Sequence, residues 1–444
     1  MSQAPAGPAR PSRTYDAIVV GAGIIGCAIS LELGRAGRRV LCVDAGPAPG
    51  SGSTGASSAI VRFHYSDAVA TTVAWDSYFD WTAWPVYLDL PRDEPLARYV
   101  TTGALVLDAP GSPRQATLGH FDALGIPYQE LTATDIRREF PEICTQSFWP
   151  PKTPDDPAFW DPGHGELGGY LTPAAGYVDD PQLATRNLML AATRAGVTFQ
   201  FRRLVRRVIV AGDQASGVEL DGNEAVSAPV VVNACGPASD RLNQLAAVIH
   251  DMAVRGRPLR TETHEIPAPP GFRTGRGGVF VTDTDLGVAF RPHGQDRLHI
   301  SSMEPGCDPL EWIDDPWSYR DQPTQRYYDR QTLRVARRLP GLRIPSRPSG
   351  IGALYDVTPD WRAIFDRSAL PGYYLACGTS GNSFKIGPMA GRMVAAIINA
   401  CETGHDHDRE PVVFTTPHLS RPLSLGYYSR LRDVAPDAPH NAIA

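Results

Sequence analysis

The sequence predicts an α/β fold in which a Rossmann-like nucleotide-binding part is interrupted by an α+β part with a mostly antiparallel sheet. Three observations carry this. The chain opens on a βαβ pattern between Tyr15 and Asp44. Strand and helix patterns return after Gly169 and again over 373–400. Between them, residues 254–303 are strand-rich and alternate in polarity, as at Gly287-Val288-Ala289-Phe290-Arg291. A length of 444 residues allows two or three domains, each with its own core.

The first strand is the apolar run Ala17-Ile18-Val19-Val20, and helical apolar spacing follows from Cys27 to Gly37. A second strand, 39–43, ends on Asp44. Residues 46–58 are rich in Gly, Ser and Pro and read as a loop. Trp75, Tyr78, Phe79, Trp81 and Trp84 recur at helical spacing and predict core packing over 68–89. A strand is expected over 101–107, then helix, strand and helix over 117–140, and an excursion loop over 150–168. A helix at 182–195, strands at 197–201 and 204–210 and a buried strand from Val230 complete the middle of the chain. The helix 322–339 stops at Pro340, and a buried strand at 373–378 feeds the helix 388–400. The stretch 404–444 reads as a tail that wraps or frays.

A net charge of −6 indicates no general polyanion-binding surface, so no nucleic-acid partner is expected. The clusters Arg202, Arg203, Arg206, Arg207 and Arg334, Arg337, Arg338 are expected on solvated faces. Seven cysteines without a CxxC pair predict reduced, mostly buried thiols and no metal site. Residues 1–13 lack the apolar core of a secretory signal and read as a disordered tail. The longest apolar run, 18–31, contains four glycine or serine residues and is too short to span a bilayer. A cytoplasmic protein without a membrane partner is the expectation; oligomeric state is open.

Gly21, Gly23 and Gly26 form a GxGxxG between the first strand and its helix, and Asp44 stands 18 residues further on. The glycines permit a tight turn, close approach of a pyrophosphate and close helix–strand packing, while the acid suits a ribose diol. The helix N-terminus adds unpaired N–H groups and a positive dipole end. Dinucleotide binding follows, but this motif alone does not separate one dinucleotide from another. At the other end, Gly378-Thr379-Ser380-Gly381-Asn382-Ser383-Phe384-Lys385 joins a buried strand to a helix. Among 42 basic residues only Lys152 and Lys385 are lysines, and one of them lies in this turn. A helix start is electrostatically poor for a cation, which favours a functional reason for its presence.

Together with Ser53 to Arg62 and Asn233-Ala234-Cys235-Gly236-Pro237-Ala238, these motifs resemble the glycine/D-amino-acid oxidase superfamily in its sarcosine-oxidase-like branch, over about residues 14–400. The resemblance implies an FAD-binding domain of the GR2 type assembled from 14–95, 169–250 and 345–402. It implies a substrate domain from 96–168 and 251–344, with 403–444 as an extension. FAD would be held by Gly21, Gly23, Ile24, Ile25, Gly26, Asp44 and Ala45 and by Ser53, Thr54, Ser58, Ala59 and Ile60. Further contacts fall on Val205, Ala234 and Gly236, and on Gly378, Gly381, Asn382, Ser383, Phe384 and Lys385. Ala353 stands where a cysteine anchors FAD in monomeric sarcosine oxidases, so non-covalent FAD is implied.

By the same resemblance Lys385 and Arg62 jointly hold a substrate carboxylate, and Tyr65 and Tyr355 match site tyrosines. Asn382 replaces a histidine of the late turn, Gly55 and Ala59 replace polar residues, and His299 aligns with a lysine implicated in oxygen activation. Either tyrosine, and His299, fits a purely structural role equally. The implied reaction is oxidation of a carboxylate-bearing amine or amino acid, with oxygen or another acceptor taking the electrons. A hydroxy-acid or alcohol dehydrogenase on the same scaffold, or a catalytically silent flavin-fold accessory protein, fits the same residues.

Overall fold

The computed structural model describes residues 14–91, 93–275 and 277–435; the expected tail at 1–13 and the stretch 436–444 lie outside them. One sheet has six strands in the spatial order Thr198–Phe201, Val40–Asp44, Ala17–Val20, Val230–Asn233, Tyr373–Cys377, Ile364–Arg367. The first five are parallel and the last is antiparallel. Ala17–Val20, Val230–Asn233 and Tyr373–Cys377 are buried throughout, which is why they read as unbroken apolar runs. The helix Ile24–Arg35 packs between Pro181–Arg194 and Gly387–Glu402. A meander of Val205–Ala211, Gln214–Leu220 and Glu224–Ser227 stands apart from this sheet.

The second sheet has nine strands. Its path runs Glu311–Trp312, Arg257–Pro267, Arg297–Ser302, Val288–His293, Phe280–Asp283, Ala104–Leu107, Gly169–Thr172, Gln129–Leu131, and Gly350–Val357 pairs with Arg257–Pro267. All junctions are antiparallel except that of Phe280–Asp283 with Ala104–Leu107. Gly169–Thr172 and Gly350–Val357 fall within the expected FAD-binding segments 169–250 and 345–402 but hydrogen-bond into this sheet. The single strand expected over 101–107 is also two. Gly103 turns the chain at φ +72°, so Tyr99–Thr101 pairs with Gly176–Val178 and Ala104–Leu107 joins the large sheet. The excursion at 150–168 contains a short 3₁₀ turn, Pro157–Trp160, and a three-residue strand, His164–Glu166.

The aromatic stretch forms the helices Ala68–Thr82 and Trp84–Leu88, with Trp75, Trp81 and Trp84 in the core as expected. All seven cysteines are free thiols. The arginine clusters depart from expectation. Arg202, Arg206 and Arg207 are exposed, but Arg334 and Arg338 are fully buried. Arg338 reaches Asp283 at 2.7 Å and Asp285 at 3.0 Å, and Arg334 reaches Asp308 at 2.7 Å. Those aspartates are remote in sequence, so nothing near the helix marks its arginines as interior.

The described part of the tail wraps. Arg430 pairs with Asp251, Asp366 and Asp408, and Arg432 grips Asp360 through two bonds of 2.7 and 2.8 Å. Arg430→Met is expected to cost about 3–5 kcal/mol, because it leaves the buried Asp366 carboxylate uncompensated. The loss is read from the urea midpoint at neutral pH.

Candidate active site

The two glycine turns meet along one cavity of about 940 Å³. At one end the chain leaves Ala17–Val20 through Gly21 at φ +108°, whose N–H donates to Val43 O at 2.8 Å. The Asp44 carboxylate accepts from Ala22 N and Gly46 N, both at 2.6 Å, and Thr54 Oγ1 accepts from Ile24 N at 3.2 Å. Gly21, Gly23, Ile24, Ile25, Asp44, Ala45, Ser53, Thr54, Ser58, Ala59, Ile60, Val205, Ala234 and Gly236 all line the cavity. Gly26 does not. A Cβ there would sit 1.9 Å from Gly21 O, so its part is the close helix packing.

At the other end, Gly381, Asn382, Ser383, Phe384 and Lys385 line the cavity, while Gly378 lies outside it and shapes the turn. Its N–H donates to the buried Asp356 carboxylate, and Ser380, at φ +48°, donates its N–H to Asp356 O at 2.8 Å. Burial pushes Asp356 up to about 7. The helix Ala68–Thr82 fixes Lys385 from behind, since Ser77 Oγ and Trp81 Nε1 donate to its carbonyl at 2.8 and 2.6 Å. Trp81 also stacks on Phe384 at 5.3 Å.

Arg62 and Lys385 both line the cavity and are both buried. Arg62 Nη1 donates to His64 O at 2.7 Å, and Lys385 Nζ donates to Asn382 O. They meet over Tyr65, with the guanidinium 4.4 Å and the ammonium 5.4 Å from its ring centroid. Tyr65 is thus the floor beneath two cations rather than part of the cavity lining. Burial, with Arg62 adding, holds Lys385 well below its usual 10.5. Tyr355 lines the wall, and a Cβ on Gly381 would fall 2.5 Å from its ring. Asn382 lines the same space with its Nδ2 donating to Trp361 O at 3.3 Å.

His299, like Gly26, Tyr65 and Gly378, stands outside the cavity lining. It lies behind Ser58, with Nε2 2.8 Å from Ser58 Oγ, and does not reach the cavity itself. Burial holds it down at about 4, so it is a neutral imidazole and not a substitute for a lysine's charge. The residues of the opposite wall were not among those expected from sequence. Thr261, Thr263, Ala289 and Ser301 of the large sheet line it, with Met303, and Trp317 and Tyr319 stand at its rim. Alternation along 257–267 and 297–302 marks two faces but does not say which one covers the cavity. Among the described residues no cluster suits a metal ion, and no helix is long and apolar enough to cross a membrane.

A Rossmann-type cavity that extends past its nucleotide motif to a second glycine turn, beneath an antiparallel sheet, defines a flavin-dependent oxidoreductase. The residues fit FAD. The glycine turn and Asp44 suit the nucleotide end, and the late turn, far along the chain, closes the other end of the same space. The FAD dependent oxidoreductase (DAO) family model matches residues 16–397, and the chain belongs to that family. A monomeric sarcosine oxidase of Streptomyces avermitilis is 27% identical over 418 residues, covering 89% of this chain and 96% of that one. The fold is similar to that of L-proline dehydrogenase from P. horikoshii, with TM-score 0.72 and 18% identity, covering 95% of this chain and 98% of that one. Glycine oxidase from Geobacillus kaustophilus gives 0.70 at 19% identity, covering 96% and 100%.

Proposed function

We propose that the protein oxidises the C–N bond of a carboxylate-bearing secondary or cyclic amine, or an amino acid, to the imine. The observation that carries this reading is the pair of buried cations, Arg62 and Lys385, meeting over Tyr65 at the end of the FAD cavity. Two cations converging in a dry site favour a bound carboxylate, and the cavity beside them leaves room for the rest of a small amine. FAD, when bound, accepts the hydride and later yields its electrons to oxygen or another acceptor. Ala353 offers no thiol for a covalent link, so the cofactor is held non-covalently.

The chain's own contribution is orientation and control of protonation. Lys385 and Arg62 fix the carboxylate and with it the adjacent C–N bond. Their charges also favour the neutral amine, the form from which hydride departs. The test is anaerobic bleaching of the yellow holoprotein, followed by aerobic peroxide release, across a panel of N-methyl, cyclic and primary amino acids alongside hydroxy acids. Bleaching by hydroxy acids alone, or by nothing in the panel, overturns the reading.

The lowered Lys385 pKa gives a pH dependence. A carboxylate binds best while Lys385 is protonated. Affinity for a simple carboxylate such as acetate is expected to fall as pH rises through the lowered value, well before 10.5. Flavin difference spectra across pH measure it, and Lys385→Met is expected to flatten that limb.

A further inference from the structure

Thr263, Ser301 and Ala289 are cross-strand neighbours forming one rung of the large sheet, and all three wall the cavity. The next rung on the same face is Glu265, His299 and Arg291, and it grips the cavity loop at Ser58. Arg291 Nη2 donates to Ser58 O at 2.9 Å, and Ser58 Oγ meets His299 Nε2 at 2.8 Å. On the far side, His299 Nδ1 faces Glu265 Oε1 at 3.6 Å. Side-chain exposure rises from 8% at His299 to 36% at Glu265, so three groups lead from the cavity to water.

The partners fix the tautomer. With a carboxylate at Nδ1, His299 carries its proton there and accepts the Ser58 hydroxyl proton at Nε2. Four further groups face this row. His293 approaches the same Glu265 oxygen at 3.5 Å while its Nδ1 accepts from Arg291 at 3.0 Å. Arg297 stands 4.0 Å from the carboxylate, and His264 flanks His299 electrostatically. The nearby His299, with His293 and Arg297 adding, holds Glu265 down at about 2. An ionised acid and a neutral imidazole store no proton between them at neutral pH, but the imidazole passes one, taking it at one nitrogen as the other releases.

We infer that Ser58, His299 and Glu265 form a proton relay between the FAD cavity and solvent, whose outward half rests on the amine reading above. Outward, the substrate ammonium gives a proton to Ser58 Oγ, Ser58 gives its own to Nε2, and Nδ1 gives one to Glu265 and so to water. The neutral amine remains, His299 is left in its other tautomer, and two electrons depart with the hydride. Reduction of one dioxygen to hydrogen peroxide by that hydride consumes one proton. Inward, Glu265 passes this proton to Nδ1, Nε2 passes one to Ser58, and Ser58 passes one to the reduced oxygen. The inward proton restores the starting tautomer, so each turnover resets the relay.

Anaerobic bleaching by one equivalent of amine comes first, so failure of the amine reading shows before the relay is tested. The bleached holoprotein, its His299 left protonated at Nε2, is then mixed with aerated buffer while flavin absorbance and a pH indicator are followed. His299→Gln can keep the Ser58 hydrogen bond and still reach toward Glu265 but cannot pass a proton. It is expected to slow reoxidation and proton uptake about a hundredfold, as is Glu265→Gln, and added imidazole is expected to restore His299→Ala. In the apoprotein, ¹⁵N shifts are expected to show His299 protonated at Nδ1. Wild-type rates in His299→Gln, a slowed His299→Ala that ignores imidazole, an Nε2-protonated His299 in the apoprotein, or reduced wild-type protein that persists in air would each overturn the relay.

Discussion

Lys385→Met is expected to lower kcat/KM for a carboxylate-bearing amine about a thousandfold while leaving the protein folded and yellow. The side chain is buried and its charge is desolvated. Removing one member of a buried, hydrogen-bonded charge pair costs about 2–5 kcal/mol of binding. Most of the loss belongs in KM, since the carboxylate is held alike in the ground state and the transition state. Stability moves the other way. The folded pKa of Lys385 lies below its unfolded value, so the folded state carries a penalty that is full at pH values below the folded pKa and vanishes as pH approaches 10.5. Methionine removes that penalty, and the apoprotein's melting temperature is expected to hold or rise, most clearly at lower pH. An amine without a carboxylate is the control. If it loses as much turnover as the carboxylate substrate, Lys385 acts on something other than the carboxylate.

Much of this site is written locally and little of its far wall is. The βαβ opening, Asp44 and the late glycine turn are each legible because a backbone requirement fixes the residue type at a fixed spacing. Lys385 stands out by rarity and Arg62 by resemblance to a family motif. Tyr65 and Tyr355 read alike in the sequence, and only the packed structure separates a ring beneath two cations from a ring on the cavity wall. His299 was tied to the site by position, and its place one rung beyond the cavity depends on strand register across Glu265 and Arg291. Register is also why Gly350–Val357, next to the late FAD segment in sequence, hydrogen-bonds into the other sheet. The buried Arg334 and Arg338 show the same limit from the side of charge, because their aspartates come from other elements of the chain.

Gly21→Ala and Gly23→Ala are expected to separate folding from cofactor binding within one motif. A Cβ on Gly21 would fall 2.2 Å from Ala234 O and 2.7 Å from its carbonyl carbon. That backbone cannot retreat, since Ala234 N–H donates to Val20 O at 2.8 Å within the parallel sheet. The residue also sits at φ +108°, where an alanine is strained. Gly21→Ala should therefore lose about 3 kcal/mol or more of stability and fail to retain FAD. Gly23 is different. Its φ is an ordinary −74°, and its Cβ would meet only Thr54 Oγ1, at 3.1 Å. The added methyl would enter the space where phosphates approach the helix N-terminus, at a cost of one or two charge-assisted hydrogen bonds of about 1.5–3 kcal/mol each. Gly23→Ala should keep the wild-type melting temperature as apoprotein and weaken FAD at least tenfold in a fluorescence-quenching titration. Wild-type affinity in Gly23→Ala would mean that the pyrophosphate seats elsewhere, and the assignment of the nucleotide end would have to move with it.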